Sequence, residues 1–266
     1  TFKNPRKGAI EKTKMRVSLA CAVGVVVCAA ARFLAPLVAM RCRKSGKMQL
    51  RLSPVEMELV ARTEEYVKEE MRNQDGSHDW FHVDRVRKLA RKLCALEGHT
   101  DHLAVELAAL LHDIKDWKYS ERGEEEGMEA VGKFLTAQKC PISAIDKVLY
   151  VMKHIGFKSE LGYGKGLKVT PELAIVQDAD RLDAIGAIGI ARTFTYGGAR
   201  NRALYDPAIK PVTNITQEQY SKKNRSEPTI NHFYEKLFLL KDRMKTKSGR
   251  RIAEARHRYM EEYVSR

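Results

Sequence analysis

The sequence contains few cysteines, and their spacing does not form a recognised binding motif. Its 266 residues include five cysteines, with no CxxC pair and no even framework. Neither a thiolate zinc site nor a disulfide scaffold is therefore expected. We expect an intracellular protein in a reduced compartment. That compartment is the cytoplasm or, if residues 1–50 are a targeting segment, an organelle.

The sequence also lacks an apolar run of the length that a membrane span usually needs. Residues 17–31 are apolar, but Arg32 and Pro36 interrupt any continuation, whereas a bilayer requires about 20 apolar residues. A basic start and a short apolar core are typical of a targeting or leader segment, with a membrane anchor or disorder as alternatives. We treat residues 1–50 as an N-terminal extension and residues 51–266 as the folded domain, and we do not expect a membrane protein.

Acidic residues are almost absent from the first part of the chain, which explains the net charge of +14. Residues 1–52 contain 12 of the 48 Lys and Arg residues and one of the 34 acids, a net of +11, so the other 214 residues carry +3. A basic surface is expected in nucleic-acid-binding proteins. Because the basicity belongs to the extension and not to the domain, no nucleic-acid partner is expected.

No stretch of the domain shows the alternating pattern of a half-buried strand, whereas helix signals recur along it. Ser53-Pro54-Val55-Glu56 is a capping box with proline at the first helical position, and Thr170-Pro171-Glu172 is a second strong helix start. The predicted helices cover 54–73, 79–96, 100–113, 121–138, 141–154, a long buried segment at 176–194, 229–245 and 249–263. The fold class is therefore predicted to be all-α.

Polar residues in three of these helices are placed where apolar ones are expected. His112 and Asp113 end the apolar run 103–111, and His82 begins the inward-facing stripe of the helix over 79–96. A buried polar group needs a partner, and imidazole and carboxylate together are standard ligands of divalent ions. These residues are candidate metal ligands.

A further carboxylate ligand is expected from the apolar segment 176–194, which contains Asp178, Asp180 and Asp183. Two imidazoles and two carboxylates favour Mn²⁺, Fe²⁺, Mg²⁺ or Zn²⁺, with open positions for water. The spacing does not separate Asp178 from Asp180 as the fourth ligand.

Four stretches in this order resemble the HD-domain metal-dependent phosphohydrolases, and in particular their YedJ-like branch: SHDWFHVDRV, ELAALLHDIKDWK, HIGF and IVQDADRLDAIGAIGIAR. The resemblance covers about residues 75–263. It implies a single HD-domain helical bundle with a C-terminal helical extension. It also implies one divalent ion, Mn²⁺ being the first expectation and Mg²⁺, Fe²⁺, Co²⁺ or Zn²⁺ the alternatives. The implied ligands are His82, His112, Asp113 and Asp180.

The resemblance further implies hydrolysis of a phosphate ester or anhydride, with a nucleotide as substrate, through a metal-activated water. The expected reaction is of the nucleoside triphosphate pyrophosphohydrolase or the 5′-nucleotidase type. Lys115 and Arg85 are candidate contacts to substrate phosphates, and Lys115 is also a catalytic candidate. Asp116 or His154 is expected to orient or deprotonate the attacking water. The alternative is a catalytically weak module that binds metal or nucleotide and acts by association.

Overall fold

A computed structural model describes residues 52–72, 76, 79–114, 123–162, 166–213, 216–218 and 227–266, and over these ranges the regular structure is helical with no strand. The helices are α1 (Pro54–Glu70), α2 (Trp80–Glu97), α3 (His102–Leu111), α4 (Gly123–Ala137), α5 (Ile142–His154), α6 (Phe157–Gly162), α7 (Pro171–Asp183), α8 (Gly186–Ala199), α9 (Asn231–Glu235) and α10 (Lys247–Ser265). The predicted all-α class is confirmed. The extension at 1–50 lies outside the described residues. Of the helices in the described ranges, none is both long enough and apolar enough to cross a bilayer.

Side-chain caps fix where three of the helices begin, and two of these, α2 and α7, carry candidate site residues. The capping box at Ser53 is present, with Ser53 N donating to Glu56 Oε2 at 2.7 Å. Thr170 Oγ1 accepts from Leu173 N at 3.2 Å at the start of α7. Asp79 Oδ1 accepts from His82 N at 3.0 Å. The cap on α2 therefore places His82 in the first turn of that helix.

Helix α3 occupies the centre of the fold. All its residues from Leu103 to Leu111 are buried, and it packs against α1, α2, α5 and α7. One buried polar side chain on it, Glu106, accepts a hydrogen bond from Arg87 Nε at 2.8 Å. The His112-Asp113 pair is therefore positioned by a helix that is buried over almost its whole length.

The expectation of one continuous helix over 176–194 is wrong. Helix α7 ends at Asp183 and α8 begins at Gly186, whose φ of +79° belongs to the left-handed region that glycine adopts without strain. The close approach of Gly189 to the carbonyl of Ala184 also depends on glycine, since a Cβ there would lie 2.2 Å from that oxygen. The chain therefore turns between the two helices.

Two other expectations about helices also differ from the structure. The predicted helix over 229–245 is wrong, because the chain forms the short α9 and then 3₁₀ turns at Leu237–Leu239 and Lys241–Arg243. Helix α6 was not expected from the sequence. The C-terminal helical extension itself is present, and α10 packs against α7, α8 and α2.

Candidate metal centre

Three of the predicted ligands come together at the junction of α2 and α3. One ligand atom each from His82, His112 and Asp113 can be chosen so that all three lie within 4.8 Å of one another. His82 Nε2 lies 3.3 Å from His112 Nε2 and 3.4 Å from Asp113 Oδ2. His112 Nε2 lies 3.9 Å from the same carboxylate oxygen. The structure thus brings together residues separated by 30 positions in sequence.

Asp180 approaches the same point from α7. Its Oδ1 lies 3.5 Å from His82 Nε2 and 3.9 Å from His112 Nε2. The two histidine side chains are 1% and 2% exposed, whereas that of Asp180 is 32% exposed. The group is therefore accessible to solvent on the side of Asp180 and closed on the side of the histidines.

The orientation of both imidazoles fits a cation between them. His112 Nδ1 lies 2.9 Å from the carbonyl oxygen of Ala109, and His82 Nδ1 lies 2.8 Å from Asp183 Oδ2. With protons on both Nδ1 atoms, each Nε2 presents a lone pair to the other across 3.3 Å. Two nitrogen ligands about 2.1 Å from one ion are roughly 3.0–3.4 Å apart at tetrahedral or octahedral angles. The residues present therefore fit a divalent ion.

Asp183 is the carboxylate behind His82, and it is held by two arginines. Arg85 donates from Nε to Asp183 Oδ1 at 2.8 Å and from a terminal nitrogen to Oδ2 at 3.1 Å. Arg192 donates to Oδ2 at 3.1 Å. Burial favours the protonated acid, but hydrogen bonds from His82 and Arg85 outweigh burial and hold the pKa of Asp183 well below its usual range.

Burial and neighbouring charges also shift the pKa of His82 in opposite directions. Burial lowers the pKa of its imidazole, while the hydrogen-bonding carboxylates of Asp113 and Asp183 raise it, and the net shift of the pKa is upward. Two carboxylates favour a positive charge at this imidazole. The position is one where a cation is stabilised.

Asp178, the alternative fourth ligand, is engaged elsewhere. Its Oδ1 accepts from Lys245 N at 2.9 Å, and its Oδ2 accepts from both the backbone N and the Oγ1 of Thr246, each at 2.7 Å. These donors belong to the segment that begins α10. Asp178 therefore joins α7 to α10, whereas Asp180 faces the histidines.

His154 is buried at the end of α5, with its ring 4.5 Å from that of Tyr150. Gln177 Nε2 donates to the carbonyl oxygens of His154 and Ile155, at 3.3 and 3.0 Å, which joins α5 to α7. Burial and the nearby charge of Lys153 lower the pKa of the His154 imidazole. The other water- and phosphate-binding candidates, Lys115 and Asp116, lie outside the described residues.

Two residues at this site were not predicted from the sequence to have a function. Asp183 was noted only as one of three acids in an apolar segment, and Arg192 was not noted. The available signal was periodicity, since Asp183 is three residues from Asp180 and shares its helix face. Arg192 lies in the next helix, and no spacing rule connects it to Asp183.

Comparisons with known proteins match this part of the chain to one family. The family model described as the HD domain matches residues 80–185, which contain all four predicted ligands. The Bacillus subtilis protein YpgQ is 34% identical over 201 residues, which are 75% of this chain and 87% of YpgQ.

Several solved structures resemble this chain over most of their own length. A protein from Lactobacillus plantarum has a TM-score of 0.68 at 32% identity, over 81% of this chain and 96% of that protein. An HD-superfamily hydrolase from Bacillus thuringiensis has a TM-score of 0.59 at 39% identity, over 79% and 95%. YpgQ in complex with ADP has a TM-score of 0.61 at 29% identity, over 79% and 94%.

Proposed function

This chain belongs to the HD-domain superfamily of hydrolases, and from that membership we propose that it is a metal-dependent phosphohydrolase acting on a nucleotide. The observation that carries the proposal is the convergence of two imidazole nitrogens and two carboxylates on one point, with the histidines buried and Asp180 partly exposed. Two imidazole nitrogens that face each other at 3.3 Å have either a proton or a metal ion between them, and the two carboxylates at the same point favour the metal ion. The exposed side leaves room for water and substrate.

The ligands in this proposal are His82, His112, Asp113 and Asp180. A divalent ion held by them would lower the pKa of a bound water and neutralise charge on a phosphoryl oxygen, which is the chemistry that phosphate hydrolysis requires. The resemblance makes Mn²⁺ the first choice, and the imidazole and carboxylate ligands are also compatible with Mg²⁺, Fe²⁺, Co²⁺ or Zn²⁺. Asp178 is excluded from the proposed set because its oxygens bind the start of α10.

Four further side chains are candidates for the other roles in the proposed site. Burial and the charge of Lys153 lower the pKa of the His154 imidazole, which favours the neutral form that accepts a proton from an attacking water. Asp116 is the alternative for that role. Lys115 follows the His-Asp pair directly, and a cation there would neutralise charge on a substrate phosphate. Arg85 is a second candidate phosphate contact.

A nucleotide is the proposed substrate class because of the relative YpgQ, which was crystallised with ADP. The likeness of the four stretches to the YedJ-like branch supports the same class. Within it, we favour pyrophosphohydrolysis of a nucleoside triphosphate over removal of phosphate from a monophosphate. Both reactions use the same ligands and differ in the bond that is broken, which is the α–β phosphoanhydride bond of a triphosphate or the phosphoester bond of a monophosphate.

The test uses the full-length protein with Mn²⁺ or Mg²⁺ and a panel of nucleoside mono-, di- and triphosphates. Products are resolved as phosphate or pyrophosphate, and the His112→Ala/Asp113→Ala variant is the control. We expect metal-dependent turnover that the variant loses. Pyrophosphate from a triphosphate would identify a pyrophosphohydrolase, and phosphate from a monophosphate would identify a nucleotidase.

Two results would contradict the proposal. Turnover that persists in the double variant would place the chemistry elsewhere. Stoichiometric bound metal without turnover on any nucleotide would favour a catalytically weak module that binds metal or nucleotide.

A further inference from the structure

Asp183 lies directly behind one of the proposed ligands, and the rest of its hydrogen bonds come from positively charged groups. Its side chain is 3% exposed, and its Oδ2 lies 2.8 Å from His82 Nδ1. Arg85 and Arg192 donate three further N–H groups to the two carboxylate oxygens, at 2.8 to 3.1 Å. The ligand atom of the same imidazole, Nε2, points the opposite way, toward His112 and Asp180.

We infer that Asp183 is a positioning residue that holds His82 with its proton on Nδ1 and its Nε2 lone pair directed at the metal, and that Arg85 and Arg192 fix Asp183 for this task. An ionised carboxylate only accepts hydrogen bonds, so the Nδ1 that faces it must carry the proton. The inference rests on the metal site of the proposed function. Asp183 is not itself one of the proposed ligands.

The two arginines determine how firmly the carboxylate is held. Arg85 donates through two nitrogens, one to each oxygen of Asp183, which fixes both the position and the plane of the carboxylate. Arg192 comes from α8 and binds Oδ2, the oxygen that His82 also uses. Helices α2, α7 and α8 therefore all contribute to the orientation of a single imidazole.

This assignment gives Arg85 a task different from the phosphate contact expected from sequence. A phosphate contact would change KM and leave metal binding intact. A residue that holds Asp183 would instead change metal affinity, because the orientation of the His82 ring depends on it. The two roles of Arg85 are separable by measuring both quantities in one variant.

The experiment measures Mn²⁺ affinity by calorimetry on the chelator-treated full-length protein. We expect the Kd of Asp183→Asn to rise about 10–100-fold, as is typical when the hydrogen-bond partner of a histidine ligand is lost. Asp146→Asn, at an exposed position on α5, is the matched control, and its Kd should stay within about twofold of wild type. Circular dichroism and the melting temperature of the metal-free protein establish that each variant is folded.

A second readout separates positioning from a merely structural role. At saturating Co²⁺, the visible absorption of Asp183→Asn should differ from that of the wild type, because the ring of His82 is no longer held in one orientation. A folded Asp183→Asn with wild-type Mn²⁺ affinity and an unchanged Co²⁺ spectrum would overturn the inference. A lower melting temperature with unchanged affinity would also overturn it.

The Arg85→Met variant keeps the inference testable if Asp183→Asn does not fold, since the Arg85 side chain is 33% exposed. We expect its Mn²⁺ affinity to fall by about 3–10-fold, less than for loss of Asp183 itself. A raised KM with unchanged metal affinity would overturn the assignment of Arg85.

Failure of the wild type to bind Mn²⁺ would overturn the proposed function together with this inference. Metal binding without nucleotide hydrolysis would contradict the proposed function but leave this inference standing.

Discussion

Asp178 and Asp180 lie two residues apart on α7 and perform different tasks. A separation of two residues on a helix turns side chains to different sides, and here one side meets α10 and the other meets the histidines. Asp178 accepts from two backbone N–H groups and one hydroxyl. Asp180 contributes its Oδ1 to the group of His82 and His112. Substitution of Asp178 and substitution of Asp180 by the same residue should therefore change different properties of the protein.

We expect Asp180→Ala to weaken Mn²⁺ binding while leaving the free energy of unfolding of the metal-free protein nearly unchanged. Since loss of a ligand's hydrogen-bond partner alone costs about 10–100-fold, loss of a ligand should cost roughly 100-fold or more. Asp178→Ala should instead lower the free energy of unfolding by about 2 kcal/mol or more, because it leaves buried donors unsatisfied. Calorimetry and urea denaturation measure the two quantities, and reversal of the pattern would identify Asp178 as the ligand.

The sequence was sufficient to predict the candidate ligands, but it was not sufficient to predict the hydrogen bonds around them. His82, His112 and Asp113 were recognisable because a polar residue in an apolar helical face needs a partner. The choice between Asp178 and Asp180 was open because it depends on which side of α7 faces α2. That orientation is set by tertiary packing, and so is the contact between Asp183 and Arg192.

At the level of helices, the turn between α7 and α8 determines how Arg192 reaches Asp183. The two residues are only nine positions apart, but the change of direction after Asp183 brings the second helix back toward the site. Gly189 is essential to this turn, since a Cβ at that position would lie 2.2 Å from the oxygen and 2.4 Å from the carbon of the Ala184 carbonyl. Backbone atoms cannot move aside as the end of a flexible side chain does.

We expect Gly189→Ala to lower the free energy of unfolding by roughly 2–3 kcal/mol, because overpacking against backbone forces the two helices apart. Gly198→Ala is a matched control in the same helix, since a Cβ there meets nothing within 4 Å. Alanine is about 0.5–1 kcal/mol better than glycine inside a helix, so the control should be neutral or slightly stabilising. Urea denaturation of both variants tests this, and equal effects would contradict the assigned contact.

This turn also shows why helix boundaries were harder to predict than helix existence. Residues 176–194 are rich in small and apolar side chains, and their pattern is continuous across the break. Gly186 adopts a positive φ, and a Cβ at that position would lie 3.1 Å from both Cβ and Cγ of Arg256. Arg256 belongs to α10 and also donates a hydrogen bond to the carbonyl oxygen of Leu182, so a residue distant in sequence contacts the chain on both sides of the break. The capped starts at Ser53 and Thr170 were predictable because each cap is a local contact.

At the scale of the whole molecule, the proposed ligands join helices that are distant in sequence. His82 belongs to α2, His112 and Asp113 follow α3, and Asp180 belongs to α7. An ion bound by all four would hold these elements together only in the folded state, because an unfolded chain does not bring the ligands to one point. Metal binding and folding stability are therefore expected to be coupled.

We expect Mn²⁺ to raise the melting temperature of the chelator-treated protein. A ligand at 100 times its Kd stabilises the folded state by about 2.7 kcal/mol, which for a domain of this size corresponds to roughly 5–10 °C. Differential scanning calorimetry with and without Mn²⁺ measures the shift, and excess EDTA should reverse it. At the same Mn²⁺ concentration, His112→Ala should show almost no shift, because loss of a ligand raises the Kd by roughly 100-fold and leaves only about 0.4 kcal/mol of stabilisation. A wild type that does not respond, or a variant that responds equally, would show that these residues do not hold the ion.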